Sequence, residues 1–482
     1  MFLQPSFTNM PSVKPLINVG ALLDIPTGSY MEGMNGEHIL NGGLGNLTGI
    51  VGIGNSFKST IMHYQMLTAM SRMKGSSANT YDTEINIHED HLKKFYGRIK
   101  EFDGEDVLGS GRWVITDKTV YYANDWYQIL KDFLNEKKKN SAKILRDTPF
   151  KDRSGSKHMQ ILTPTFTEVD SFTEFETEDV AKIQNDNELG ESGGNTIHMR
   201  QGLAKMRFLM EIPALCGGSF NYTLMSAHVG KTIQMDMRAP PVVKLKHLRG
   251  GDQIKGVTDK FTFIMNNCWH CYNASPLIND TTKGPEYPRD SDDKLKMDTD
   301  LNVVVLRQLR SKSGPSGMAV ELIVSQSEGV LPSLTEFHYI KSSDRFGLNG
   351  TLQNYELDLL PGLRLSRTTV RSKIDENPKL QRALNITSEL CQMHALWHHL
   401  DEGFLCTPKE LYEDLKTLGY DWENELLNTR GYWCLDNGYT EVPFLSTYDL
   451  LNMRKKVNPY FPYWMKSDKT RMTETEYKKK FK

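Results

Sequence analysis

The sequence predicts an α/β protein: a mostly parallel, twisted sheet with helices on both faces, followed by a smaller and mainly helical C-terminal domain. Three observations carry this prediction. Strand-like and helix-like segments alternate through roughly the first two thirds of the chain. A glycine-rich segment at 52–60 leads directly into a helix with one apolar face. After residue 361, apolar residues recur with the spacing of a helix rather than of a strand.

The composition is that of a folded chain without a membrane-spanning segment. Its 482 residues include 58 Lys and Arg against 60 Asp and Glu, a formal charge of -2, and 38% are hydrophobic. No run of about 18 consecutive apolar residues is present, and the first residues lack the pattern of a secretory signal. Six irregularly spaced cysteines do not suit a disulfide framework. We therefore expect a cytoplasmic protein with no membrane partner.

The first elements in chain order predict crossover connections in a parallel sheet. The stretch STIMHYQMLTAMSRM places methionines four residues apart and predicts a helix that packs on a sheet by one face. Strands are predicted at 78–81 and 113–116, and a helix at 125–137. Because strands and helices alternate, these strands are expected to run parallel.

The next part of the chain predicts a connection and then further strands. The stretch 137–157 is polar and basic and predicts an exposed connection. After it, segments bounded by Gly, Pro and polar clusters have the composition of strands. These strands are expected at 160–169, 222–226, 260–266, 301–307 and 318–324.

The C-terminal region is predicted to be helical, and one of its helices is delimited by end signals. In TPKELYEDLKTLG, Thr407 suits the N-cap, Pro408 the first helical position, Glu410 the capping box and Gly419 the stop. The chain is therefore expected to have four regions. They are an N-terminal segment at 1–40, a core at 41–360, a mainly helical domain at 361–465 and a basic tail at 466–482.

The strongest chemical signal is the segment GIGNSFKST, which follows a predicted strand and opens a predicted helix. Such a loop aims backbone N–H groups and the positive end of a helix at phosphate oxygens. Lys58 would reach the β- and γ-phosphates of a nucleotide, and the Ser59 hydroxyl would bind Mg²⁺. Phe57 stands where the pattern has its last glycine, so a glycine-rich turn before an ordinary helix stays open as an alternative. The expected nucleotide-binding residues are Gly52, Ile53, Gly54, Asn55, Ser56, Phe57, Lys58, Ser59 and Thr60.

Two further strand ends carry carboxylates. TYDTE ends a predicted strand with Asp82 and Glu84, which places a carboxylate where an attacking water could be activated. The β-rich part of QILTPTFTEVDSFTEF ends in Asp170 and Ser171, a position from which a carboxylate holds Mg²⁺ through water. Strands often end in Asp because Asp forms turns, but three such features in order on one parallel sheet indicate a common site.

These motifs resemble the RecA recombinase family, and in particular the phage recombinases of the UvsX type, over roughly residues 22–339. SFKS is similar to the phage variant of the phosphate loop, where the family usually has SGKT. The resemblance implies that 41–360 is a RecA-like P-loop ATPase core with DNA-binding loops that uses ATP and Mg²⁺. It also implies that the N-terminal segment 1–40 is available for contact between protomers. YDTE resembles the segment with the catalytic glutamate, which falls on Glu84, and EVDSF resembles the Walker B strand end, which falls on Asp170.

The resemblance extends to segments after EVDSF. LMSAHVGKT resembles the strand whose polar end residue senses the γ-phosphate, which falls on His228. GGDQIKG resembles the segment that supplies a basic residue to the neighbouring protomer's ATP, which falls on Lys255. GESGGNTIHMRQGLAKM resembles the stretch with the first DNA-binding loop, in which Arg200 suits nucleic acid. A UvsX-type protein would be phage-encoded and would act in the cytoplasm of the host.

The window 229–256 is basic in an otherwise neutral chain, with six Lys or Arg against two Asp, a net charge of +4. A basic loop that contains glycine suits a phosphate backbone, whereas the window 168–191, with nine acidic residues and one Lys, would repel it. A solvated loop with no partner is the alternative. The expected DNA-binding residues are Arg200, Lys231, Arg238, Lys244, Lys246 and Arg249.

The residues and the resemblance together predict an ATP-dependent DNA recombinase with DNA-dependent ATPase activity. It would self-associate into a helical filament on single-stranded DNA and promote strand exchange with homologous duplex DNA in recombination, repair and replication. The residues expected to be catalytic are Lys58, Glu84, His228 and Lys255, and the expected Mg²⁺ ligands are Ser59 and Asp170. Two alternatives stay open: a hexameric replicative DNA helicase built on the same core, and a structural protein in which Phe57 has disabled hydrolysis.

Overall fold

The computed structural model of the chain describes residues 14–85, 87–117, 122–175, 194–232, 243–289, 300–351, 353–401, 403–435 and 438–481, with the backbone alone at 194–201. Strands are numbered β1 to β17 and helices α1 to α12 in chain order. The strands are β1 Ser29–Glu32, β2 His38–Asn41, β3 Leu47–Gly52, β4 Ser77–Asp82, β5 Trp113–Asp117, β6 Leu145–Lys151, β7 His158–Leu162, β8 Thr165–Asp170, β9 Asn221–Lys231, β10 Asp252–Ile254, β11 Asn267–Pro276, β12 Leu301–Ser311, β13 Ala319–Ser325, β14 Gly329–Val330, β15 Leu348–Thr351, β16 Asn354–Leu357 and β17 Leu360–Leu365.

The helices connect and cover these strands. They are α1 Lys58–Arg72, α2 Glu89–Tyr96, α3 Ala123–Lys139, α4 Ser141–Ile144, α5 Gly194–Ser219, α6 Lys260–Ile264, α7 Pro332–Ser342, α8 Val370–Glu376, α9 Pro378–Leu396, α10 Pro408–Thr417, α11 Thr447–Met453 and α12 Glu474–Lys480. Within the described ranges, no helix is both long enough and apolar enough to cross a membrane.

The central sheet has ten strands in the described part of the chain, in the order β14-β13-β12-β11-β3-β9-β8-β4-β5, with β10 paired to β9. The run from β11 to β5 is parallel throughout, whereas β12, β13 and β14 extend the sheet in antiparallel pairs. Side chains of β3 alternate between faces: Ile50 joins the apolar cluster that contains Met66 of α1, and Val51 joins the cluster that contains Trp126 of α3. The predicted α/β class, with a mostly parallel sheet covered on both faces, is confirmed.

Two of the predicted strands are wrong in their extent or type. The segment expected as one strand at 160–169 forms the end of β7 and the whole of β8, because Pro164 between them has no N–H to continue the pairing. The segment expected as a strand at 260–266 begins with helix α6. Phe261 and Ile264, three residues apart, both pack into the apolar cluster under β3 and β9, so tertiary packing outweighs the strand propensity of this segment.

The basic stretch 137–157 is more structured than an exposed connection. It contains the end of α3, then α4 and β6, and β6 pairs with β7 in a separate two-stranded sheet. Lys137 is buried, and its Nζ donates to Thr165 Oγ1 at 2.9 Å and to Phe220 O at 3.4 Å. Burial lowers the pKa of Lys137 to about 7. Lys137 therefore ties α3 to the start of β8.

The C-terminal helices pack onto the core. The capping box predicted for α10 is present, since Thr407 Oγ1 accepts from Glu410 N and Glu410 accepts from the backbone of Thr407. Gly419, with φ of +84°, follows the helix in the left-handed conformation that favours glycine. Leu384 of α9 shares an apolar cluster with Phe337 of α7, so helices on both sides of residue 360 contribute to one core.

Three buried carboxyl groups line a cavity of about 1230 Å³ between α1, α7, α9 and the C-terminal segment. They belong to Asp24, Glu336 and Glu389. Burial raises the pKa of Asp24 to about 7 and that of Glu336 to about 8, and it also raises the pKa of Glu389. Asn385 Nδ2 donates to Glu336 Oε1 at 3.4 Å. These groups therefore bind protons more tightly in the folded protein than in the unfolded chain.

The raised pKa values predict that stability falls as the pH rises from about 5 to 8. A carboxyl with a raised folded pKa contributes fully below its unfolded pKa, and the contribution is lost as the pH rises through the folded pKa. We expect Glu336→Gln, which keeps an oxygen for Asn385, to reduce the decline by up to ~1.4 kcal/mol per pH unit. Urea unfolding of the parent protein and of Glu336→Gln across this pH range measures the two declines in the free energy of unfolding. Equal declines in the two proteins would contradict the prediction.

Candidate nucleotide-binding site

Four neighbouring parallel strands bring the predicted site residues to one edge of the sheet. The loop 52–60 joins β3 to α1, and Gly52 at the end of β3 lies beside His228 of β9. Asp170 ends β8 and lies beside Asp82, which ends β4. Because these are carboxyl ends of parallel strands, the loop and the side chains face the crevice where α/β proteins bind ligands.

Within the loop, one carbonyl group accepts two side-chain hydrogen bonds. Lys58 Nζ donates to Ile53 O at 2.8 Å, and Ser56 Oγ donates to the same oxygen at 2.7 Å. Lys58 is only 8% exposed, whereas the loop apex at Ile53, Gly54 and Asn55 is exposed. The ammonium group is thus held against the loop, with the apex backbone open to solvent. Such an arrangement can present backbone donors and a nearby cation to a phosphate group.

Phe57 occupies the glycine position of the pattern in a glycine-like conformation. Its φ of 63° and ψ of 21° are left-handed, which costs a residue with a Cβ about 1–2 kcal/mol. The partly buried ring packs against the main apolar cluster of the core. Phe57 therefore keeps the backbone conformation that a glycine would adopt, and its ring contacts offset the conformational cost.

The left-handed conformation of Phe57 predicts an unusual order of stability among its variants. We expect Phe57→Gly to be more stable than Phe57→Ala by about 1 kcal/mol, because both lose the ring contacts but only Ala retains the strain. Urea unfolding of the two variants measures the difference. A Phe57→Ala protein as stable as Phe57→Gly, or more stable, would contradict the conformation described above.

Glu84 and His228, predicted from separate motifs, are in direct contact. His228 Nε2 lies 2.7 Å from Glu84 Oε1, and both side chains are partly exposed. The segment after β4 is shaped by Asp82, whose two carboxylate oxygens accept from Glu84 N and Ile87 N, each at 3.0 Å. Asp82, at the end of β4, therefore fixes the backbone around Glu84, whose side chain extends past the end of β8 to contact His228 of β9.

Asp170 is buried and has one oxygen in a hydrogen bond. Ser226 Oγ of β9 donates to Asp170 Oδ1 at 2.5 Å. No described residue donates a hydrogen bond to Oδ2 of Asp170, so that oxygen is available to a water or a cation at the crevice. Ser59 is half-buried in the first turn of α1. A carboxylate and a hydroxyl of this kind are ligands that suit Mg²⁺.

A buried ion pair below the site was missed by the sequence analysis. His63 Nδ1 of α1 lies 2.9 Å from Glu168 Oε2 of β8, and both side chains are almost completely buried. Thr80 Oγ1 also donates to Glu168 Oε2, at 2.6 Å. Burial alone would lower the pKa of His63, but the carboxylates of Glu168, Asp170 and Asp82 outweigh burial and raise it. The pair links the helix after the loop to the strand that ends in Asp170.

A second residue that the sequence analysis missed is Lys205 of α5. Its Nζ donates to the carbonyl oxygens of Phe172, Thr173 and Gly256, at 3.3, 2.7 and 3.1 Å. These carbonyls belong to the turn after β8 and to the segment after β10. Lys205 was not distinguishable in sequence, because one lysine in a helical pattern gives no sign that it is buried.

The backbone of His228 contacts both of these segments. His228 N donates to Thr173 Oγ1 at 3.0 Å, and Lys255 N donates to His228 O at 2.8 Å. Lys255 follows β10, which pairs with β9. The backbone of His228 is therefore hydrogen-bonded both to the turn after β8 and to the end of the predicted DNA-binding segment 229–256.

The predicted DNA-binding residues differ in their surroundings. Lys231 Nζ pairs with Asp252 Oδ1 at 2.5 Å, and Lys244 Nζ donates to Gln253 Oε1 at 3.0 Å. Lys246 and Arg249 are exposed. The prediction for Arg238 and the side chain of Arg200 lie outside the described part of the chain.

Comparisons with known proteins add little to this geometry. No protein-family model matches the chain, and no curated protein matches it. Among solved structures, the chain is similar to one described as the crystal structure of the RadB recombinase, with 12% identity and a TM-score of 0.31. That similarity covers 60% of this chain and 92% of the other. Values this low do not assign a family, so function must be argued from the site itself.

Proposed function

We propose that this protein is an ATP-dependent DNA recombinase with its ATP site at the carboxyl ends of β3, β9, β8 and β4. One observation carries the proposal: the loop 52–60 lies at the same sheet edge as Asp170 and the Glu84–His228 contact. A nucleotide hydrolase needs at least a phosphate-binding loop, a metal ligand and a carboxylate that activates water, and candidates for all three lie together here.

The site residues take distinct roles in the proposed hydrolysis. Lys58 would leave the carbonyl of Ile53 to bind the β- and γ-phosphates. Ser59 and Asp170 would hold Mg²⁺, which when bound offsets negative charge on the phosphate oxygens. Glu84 would orient and activate the attacking water, and His228, its hydrogen-bond partner, would respond to the γ-phosphate.

The proposed coupling of nucleotide to DNA rests on the backbone contacts of His228. Thr173 and Lys255 border the two segments expected to contact DNA, and both are bonded to His228. A change at His228 on loss of the γ-phosphate would alter both segments and hence the affinity for DNA. Lys255 of one protomer would act on the ATP of the next, so that hydrolysis depends on assembly into a filament on single-stranded DNA.

The proposed activity is tested by measuring ATP hydrolysis with and without single-stranded DNA, while the same samples are imaged by negative-stain electron microscopy. We expect hydrolysis that requires Mg²⁺ and increases with DNA, together with helical filaments. Closed rings with stimulated hydrolysis would instead indicate a helicase. Negligible hydrolysis under all conditions would indicate a structural nucleotide site.

A further inference from the structure

The segment 138–158, here called the basic hairpin, is the most strongly charged structured surface that the proposed function leaves without a role. It comprises the end of α3, then α4, β6, the turn at 152–157 and the first residue of β7. Seven Lys or Arg and two Asp give it a net charge of +5, in a chain whose formal charge is -2. A charge of this density attracts negatively charged partners.

The two acidic residues of the basic hairpin accept hydrogen bonds from polar groups of the hairpin and of β7. Asp152 shapes the turn: its Oδ1 accepts from Ser154 Oγ at 2.7 Å and from the backbone of Ser156 and Lys157, each at 3.3 Å. The hydrogen bond from Ser154 lowers the pKa of Asp152. Asp147 accepts from Gln160 Nε2 at 2.9 Å. These carboxylates are therefore hydrogen-bonded to polar groups of the hairpin and of β7 rather than to the cations of the hairpin.

Most of the cations in the basic hairpin are left without an ion pair by the residues that the structure describes. Lys151 pairs with Glu32 of β1. Exposed cations that form no ion pair with any described residue are Lys139, Lys143, Arg146, Arg153 and Lys157. Arg153 and Lys157 flank the sequence Ser-Gly-Ser at the tip, where two hydroxyl groups and exposed backbone stand beside the charges.

The basic hairpin is held rigidly on the body of the protein. Phe150 of β6 is buried, and its ring meets that of Trp433 edge to face, with centroids 5.3 Å apart. Met34 N donates to Pro149 O at 3.1 Å, and Thr148 Oγ1 donates to Met159 O at 2.7 Å. The tip is thus a preformed turn on an anchored base, so binding through it would cost little ordering entropy.

We propose that the tip of the basic hairpin binds the phosphate backbone of a nucleic acid, at a site separate from the predicted DNA-binding segment 229–256. Cations beside hydroxyl groups suit phosphate oxygens. The tip has no aromatic or aliphatic side chain to insert into a membrane or to anchor a protein interface. β7 leads within two residues to the amino end of β8, whereas the segment 229–256 begins in the last residues of β9, at its carboxyl end. The two surfaces therefore lie toward opposite edges of the sheet.

The proposal predicts a change in the salt dependence of DNA binding. We compare the parent protein with Arg153→Gln/Lys157→Gln, measuring the affinity for labelled duplex and single-stranded DNA without nucleotide over a series of salt concentrations. Each lost phosphate contact lowers the slope of log affinity against log salt by about 0.9 on duplex DNA and 0.7 on single strands. For at least one form of DNA we expect the slope to fall by about 1–2, and the affinity to fall about tenfold at low salt.

A matched control and a second ligand keep this test specific. Lys94→Gln/Lys100→Gln removes the same charge from exposed positions on α2 and just after it, neither of them in an ion pair with a described residue, and we expect it to leave the slopes unchanged. The proposal would be overturned if the tip variant had the same slopes as the parent protein for both forms of DNA. It would also be overturned if the control variant changed the slopes as much as the tip variant does. The proposal would also be overturned if the tip variant lost binding to vesicles of anionic lipid but kept the DNA binding of the parent protein. Because no ATP is present, these outcomes are independent of whether the protein hydrolyses ATP.

Discussion

Replacing Lys58 with Ala is expected to lower ATP turnover by about 10²- to 10³-fold, the range found when one preorganised charge-stabilising group is removed. Lys58 is the mostly buried cation at the start of α1, and its Nζ is already held against the loop through Ile53 O. The charge it would stabilise develops on the transferred phosphate, so the loss should appear mainly in kcat. Steady-state hydrolysis with saturating single-stranded DNA measures the effect.

The control for Lys58→Ala is Lys94→Ala, which removes the same side chain from an exposed position on α2. It should retain the turnover of the parent protein. Thermal unfolding of both variants separates loss of chemistry from loss of fold. If a folded Lys58→Ala protein kept the DNA-stimulated hydrolysis of the parent protein, the loop 52–60 would have no part in the mechanism.

The second large effect concerns the buried pair below the site. We expect Glu168→Leu to destabilise the protein by about 3–5 kcal/mol, because it leaves His63 buried without its carboxylate. The double variant His63→Leu/Glu168→Leu should regain about 2 kcal/mol or more, since an apolar replacement of both partners leaves no buried charge. Some loss should remain, because Thr80 Oγ1 also donates to Glu168. Urea unfolding of the two variants and the parent protein gives these differences.

Two comparisons make this second prediction specific. Glu89→Gln breaks an exposed ion pair with Lys93 on α2 and should cost less than about 1 kcal/mol. The pKa of His63 is raised, so the pair's contribution is full below about pH 6.5 and is lost as the pH rises through the folded pKa. The loss in free energy of unfolding caused by Glu168→Leu should therefore be larger at about pH 6 than at about pH 9. A double variant no more stable than Glu168→Leu alone would contradict the account.

The sheet and the candidate site were largely predictable because both depend on local patterns. The alternation of strands and helices gave the parallel core, and polar residues at strand ends converge at one edge of a parallel sheet whatever the details of packing. The capping box at Thr407 and Glu410 is likewise a contact between residues three apart, and it forms as predicted. These features need no knowledge of distant contacts.

Most of the features that the sequence did not predict depend on contacts distant in the chain. The segment 260–266 favours a strand locally but packs as helix α6, and Lys137 reads as a surface residue but is buried against Thr165 and Phe220. The His63–Glu168 pair joins residues 105 positions apart. The 2.7 Å contact of Glu84 with His228 could not be inferred either, because each residue was identified from its own motif.

The most direct test of the account is the formation of joint molecules between circular single-stranded DNA and homologous linear duplex DNA, with ATP and Mg²⁺ present. We expect joint molecules with the parent protein, none when the duplex lacks homology, and few with Lys58→Ala. Unwinding of duplex DNA without homologous pairing, or no joint molecules despite active hydrolysis, would contradict the proposal that this protein is a recombinase.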